Sequence, residues 1–70
     1  MPLYRWRPVG EVEHAFSRFR NRRGARWLTA MCQLRTTPYV VAQSEIYAKL
    51  RDGVAGRCFT CLALTDGQVG

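Results

Sequence analysis

Aromatic and basic positions alternate at the start of the chain: Tyr4 and Trp6 interleave with Arg5 and Arg7, the two-residue period of a strand with one covered face. Pro8-Val9-Gly10 supplies turn residues. Beyond them Val12, His14 and Phe16 alternate with Glu11, Glu13 and Ala15, so a returning strand aims His14 inward beside two apolar neighbours. The pattern predicts an antiparallel hairpin. Over residues 17–26 the alternation lapses, and Arg18, Arg20, Arg22, Arg23 and Arg26 gather around Phe19, Asn21 and Gly24. This stretch reads as a basic loop.

The strand period returns over 27–32, with Leu28, Ala30 and Cys32 on one face and Trp27, Thr29 and Met31 on the other. Residues 33–41 read as a further extended segment, which Pro38 restricts to an edge or a bulge. Ser44 is the expected N-cap of one short helix, with Glu45 in its first turn, Ile46 and Leu50 stacked four apart and Gly53 at its end. Cys58-Phe59-Thr60-Cys61 reads as a turn. The expected layout is one domain over 1–64 and a frayed tail over 65–70.

Size changes what this pattern must achieve. A chain of 70 residues and 8.0 kDa buries little apolar surface against its conformational entropy and needs a metal, disulfides or a partner subunit as a staple. A hydrophobic content of 47%, with 11% aromatic, argues against a disordered chain. No run approaches the ~20 apolar residues of a membrane span, and the N-terminal residues lack the apolar stretch of a secretory signal. The expectation is a cytoplasmic protein without membrane attachment. Thiols stay reduced there, and three cysteines cannot all pair within one chain, which favours a metal site over a disulfide framework. A disulfide between two chains is the other use of such thiols.

Cys58-x-x-Cys61 is the sharpest chemical signal: two intervening residues let both thiolates reach one tetrahedral ion while turn amides hydrogen-bond to the sulfurs. Cys32 and His14, the remaining thiol and the only imidazole, complete a Cys3His set, and both fall on faces expected to point inward. Taken singly, Cys32 is better read as a small buried apolar residue and His14 as a core or strand histidine. Jointly, the four in a chain this short point to structural zinc, with iron as the other ion such thiolates accept.

These residues also carry a family resemblance. Tyr4-Arg5-Trp6-Arg7-Pro8, Gly10 with His14-Ala15, Thr29-Ala30-Met31-Cys32 and the closing Cys58-Phe59-Thr60-Cys61 resemble a small actinobacterial zinc-finger family of the His-Cys-Cys-Cys type. The resemblance covers most of the chain and implies that His14, Cys32, Cys58 and Cys61 are zinc ligands. Two positions depart from it: Gln33 stands where the family has Gly after the middle cysteine, and Phe59-Thr60 where it has Pro beside the closing pair. A Gly after Cys32 eases a left-handed turn, so Gln33 must adopt a costlier or different one. Together the readings describe a small zinc-stapled α+β domain: an antiparallel hairpin or sheet, one short helix and a CxxC zinc knuckle.

A set of four protein ligands leaves no open position for water, and the five acids form no motif with the histidine, so the expectation is a protein that is not an enzyme. A redox role for the CxxC needs a thioredoxin-like βαβ context that this pattern lacks. The formal charge is +6, and ten of the eleven basic residues are arginine, which favours acidic partners. Arginines interleaved with aromatics can contact phosphates and stack on bases. The expected function is a regulatory binding module that contacts nucleic acid through Arg18, Arg20, Arg22, Arg23 and Arg26. The alternatives are a solvated basic loop, or a protein-interaction module in which exposed Trp6, Trp27, Tyr39 or Tyr47 anchor a partner.

Overall fold

The hairpin expected at the N-terminus is formed by β1 (Tyr4–Val9) and β2 (Val12–Ser17), paired antiparallel with Tyr4 opposite Ser17 and Val9 opposite Val12. In this computed structural model residues 3–19, 21, 24–53 and 56–65 are described. The hairpin turn is Gly10-Glu11, with Gly10 at φ 68°, the Gly-first arrangement of a type II′ turn. Pro8 and Val9, expected in the turn, remain in β1. That is tolerated because β1 is the edge of its sheet, where a missing N–H breaks no ladder.

Two further pieces of sheet are two-residue strands, too short to show a period in the sequence. β3 (Leu28–Thr29) pairs antiparallel with β4 (Arg35–Thr36). β5 (Gly56–Arg57) runs parallel to β2 on the edge that β1 leaves open, with Val12 opposite Gly56 and Glu13 opposite Arg57. The result is an α+β fold with two helices rather than the one expected, α1 (Pro38–Leu50) and α2 (Phe59–Thr65).

The first helix corrects the reading of residues 33–53. It begins at Pro38, so residues 38–41 are helical and not extended. Thr37 is the N-cap, in extended backbone, and its hydroxyl accepts from the Val40 amide at 3.2 Å. Pro at the first helical position has its φ preset and lacks an N–H that would be unpaired there anyway; Thr37-Pro38 was thus a helix start. Ser44, expected as the cap, is buried inside α1. Its hydroxyl donates to the Val40 carbonyl at 2.8 Å and accepts from the Gly10 amide at 2.9 Å, fastening the helix to the hairpin turn. An ion pair from Arg7 to Glu45 holds α1 against β1 as well.

The core is small. Ala15, Phe16, Ala30 and Cys61 form one buried cluster, with Tyr4, Trp6, Leu28, Cys32 and Cys58 packed around it. Ala15 was expected on the outward row of β2 but is fully buried, in one cluster with Ala30 and Cys61; its carbonyl accepts from the Met31 amide at 2.8 Å. Among the described residues no helix is long and apolar enough to cross a membrane.

Candidate metal centre

Three consecutive residues of β2 organise the site. The Glu13 carbonyl accepts from the Cys58 amide and the Ala15 carbonyl accepts from the Met31 amide, each at 2.8 Å. Two cysteine-bearing turns are therefore pinned to one strand edge at positions flanking His14. The Arg57 guanidinium reinforces the first of them, its Nε donating to Glu13 at 3.3 Å.

Cys32 lies in a tight turn after β3. The Gln33 amide donates to the Ala30 carbonyl at 2.9 Å and the Ala30 amide to the Leu34 carbonyl at 2.8 Å. Gln33 takes φ 72°, the left-handed conformation in which glycine is the easiest residue. The costlier turn anticipated at this position is the one present. The CxxC, expected as a simple turn, instead starts a helix: Cys58 immediately precedes α2, Cys61 lies in its first turn, and the Leu62 amide donates to the Cys58 carbonyl at 3.0 Å.

This scaffold brings together the four residues chosen from the sequence. One ligand atom from each of His14, Cys32, Cys58 and Cys61 lies within 4.8 Å of all the others. His14 presents Nδ1, at 3.5 Å from the Cys32 sulfur and 3.9 Å from that of Cys61. A tetrahedral ion with metal–sulfur bonds of about 2.3 Å and a metal–nitrogen bond of about 2.0 Å separates its ligand atoms by roughly 3.5–3.8 Å. The donors thus stand near coordinating distance, and the cluster can hold a metal ion.

The electrostatics differ from one donor to the next. The amides of Cys61 and Thr60 point at the Cys58 sulfur and lower its pKa, favouring the thiolate. Burial pushes the Cys61 thiol up to about 11, against hydrogen bonds from the Ala15 and Cys32 amides that favour its ionised form. A thiolate there needs a cation beside it. Burial lowers the pKa of His14, keeping the imidazole in the neutral state that binds metals.

The binding residues expected from the sequence are more scattered. Arg18 and Arg26 are exposed, while Arg20, Arg22 and Arg23 lie outside the described residues. Trp6 is half-buried with the Arg57 guanidinium 4.6 Å from its ring centre, and half-exposed Trp27 carries Arg35 at 5.1 Å. Asn21 was passed over in the sequence and proves to be a brace: its side chain donates to the Ser17 carbonyl at 2.8 Å and accepts from the Thr29 amide at 2.8 Å. An Asn between two strand patterns was the only signal for it.

No protein-family model matches this chain, and no curated protein or solved structure matches it. The fold and the site alone therefore define its class, a small α+β domain with a His-Cys-Cys-Cys cluster able to hold a metal ion.

Proposed function

We propose that the chain is a non-catalytic domain folded around one structural zinc ion, and that it serves as a regulatory binding module for nucleic acid. The observation that carries the metal reading is the meeting of every cysteine and the only histidine of the chain within 4.8 Å, from segments as far apart as β2 and α2. Three thiolates and an imidazole in a tetrahedral cluster suit zinc, and a closed four-ligand set gives it a folding role rather than a bound water to activate. The resemblance to the His-Cys-Cys-Cys zinc fingers supports the same assignment. Cysteines kept out of disulfides to serve as metal ligands suit a reducing compartment such as the cytoplasm.

Charge supports nucleic acid as the partner: +6 over 70 residues, with Arg5, Arg18 and Arg26 exposed among those described. The test is elemental analysis of protein purified without added metal, together with thermal melts before and after chelation. One zinc per chain and loss of the melt on chelation is the expected result; protein without metal that melts normally overturns the reading.

A second reading has its own observation. Tyr39, Ile46, Tyr47 and Leu50 lie along one exposed side of α1, an apolar stripe that favours a protein partner. Salt separates the two, since phosphate contacts weaken steeply as salt rises and apolar contacts do not.

A further inference from the structure

We propose that the cleft between β1 and the segment following β2 seats a single-stranded nucleic acid, with its phosphates held by Arg5, Arg7 and Arg18 and its bases stacked on Phe19 and Trp27. This deepens the nucleic-acid reading above and rests on it. The arginines of β1 played no part in the sequence-based expectation of a basic loop.

The cleft has a volume of about 530 Å³ and is walled by Arg5 and Arg7 of β1, by Ser17, Arg18 and Asn21, and by Pro38 at the start of α1. A hollow of that size accommodates a nucleotide-sized group. Among the described residues no carboxylate lines it. Arg7 pairs with Glu45, and among the described residues its Nε is buried without a hydrogen-bond partner. Arg5 and Arg18 are exposed on the two walls, where two guanidinium forks can converge on one phosphate. Pro38 brings the positive end of a 13-residue helix to the same rim.

Stacking partners stand next to the cleft in the chain. Phe19 follows Arg18 and is 82% exposed, and Trp27 precedes Leu28, a cleft residue, and is 50% exposed. Exposed rings beside a basic hollow are the means by which proteins hold unpaired bases. A duplex is disfavoured because reading one calls for a helix or ribbon carrying polar groups into a groove. The exposed side of α1 is dominated by Tyr39, Ile46, Tyr47 and Leu50, with Lys49 its one exposed charge, and α2, Phe-Thr-Cys-Leu-Ala-Leu-Thr, carries none.

The experiment uses the whole 70-residue chain, zinc-loaded, and fluorescently labelled single strands of about twelve nucleotides, DNA and RNA, with a duplex of the same sequence, at low and moderate salt. Expected are tighter binding of the single strands, tryptophan quenching that disappears in Trp27→Phe, and an affinity loss of tenfold or more in Arg5→Ala/Arg18→Ala. Arg51→Ala is the charge control, since Arg51 pairs with Glu11 and does not line the cleft; it is expected to lose under threefold. All variants are checked for zinc content and melting, so a folding defect is seen directly. Nucleic-acid binding that is equally sensitive to Arg51→Ala, or that prefers the duplex, overturns the cleft while leaving nucleic acid as partner. Loaded, folded protein that binds no nucleic acid overturns both.

Discussion

The sulfur of Cys61 lies 3.9 Å from Nδ1 of His14 and is itself part of the buried cluster with Ala15, Phe16 and Ala30. The candidate metal site and the hydrophobic core therefore share a residue. Ligand geometry and core packing are coupled: an ion drawing Cys61 and His14 together also closes α2 against β2, and losing it opens the same seam.

The first prediction follows. Cys58→Ser and His14→Ala remove donors at half-buried positions, whereas Cys61→Ala also cuts into the core. Structural zinc contributes on the order of 10 kcal/mol of apparent folding energy, more than a small domain's whole stability. Each variant should lose its stoichiometric zinc and its cooperative melt together, as read by elemental analysis and circular dichroism. A Cys58→Ser protein with full zinc and an unchanged melt removes Cys58 from the ligand set.

That coupling also shows how much of the protein was legible in its residues. The hairpin and all four donors could be read because alternation and residue type are local signals. The helix from Pro38 was misread since Pro38 fits a strand edge or a first helical turn equally, and only the Thr37 cap bond decides between them. The parallel strand β5 left no trace because Gly56-Arg57 is too short to have a period. The anchoring of Cys58 and Met31 on β2 was invisible for another reason: its two main bonds join backbone groups, which every sequence possesses, and only the Arg57–Glu13 contact adds side chains.

Acid should unfold the loaded protein steeply. Bound to the ion, three cysteines are thiolates and His14 is neutral; in the unfolded chain the thiols of Cys58 and Cys61 titrate near their ordinary 9.0 and the imidazole near 6.5. Below pH 9 the unfolded state holds more protons than the folded one, so stability falls as pH falls, by about 1.4 kcal/mol per proton per pH unit. The thiols set this slope first, and His14, whose folded pKa is lowered, adds to it below 6.5. Zinc release and loss of helix signal should coincide on acid titration, with uptake of three to four protons per ion. Release of zinc with the fold intact contradicts a structural site.

Ser44 should prove a structural residue despite its place in mid-helix. Its buried hydroxyl satisfies the Gly10 amide at 2.9 Å and reaches the Val40 carbonyl at 2.8 Å. Ser44→Ala leaves the Gly10 amide without that acceptor, at a cost of about 1–2 kcal/mol. Urea unfolding of the loaded protein should show that loss with zinc content unchanged. An unchanged midpoint means that the hairpin turn is not fastened to α1 through this hydroxyl.

Gln33→Gly should stabilise the domain. Gln33 is held at φ 72°, directly after Cys32, by the bond from its amide to the Ala30 carbonyl. An L-residue with a side chain is strained in that left-handed conformation by about 1 kcal/mol, and glycine is not. Glycine also loosens the unfolded chain, which offsets part of the gain. The exposed Gln33 side chain makes no hydrogen bond among the described residues, so little else is lost. The net effect should be a rise in melting temperature of roughly 2–6 °C for a domain of this size, with zinc stoichiometry kept. Gln33→Ala, which retains a Cβ, should give no such rise. If alanine matches glycine, the gain comes from losing the long side chain, and the turn that carries Cys32 is not under backbone strain.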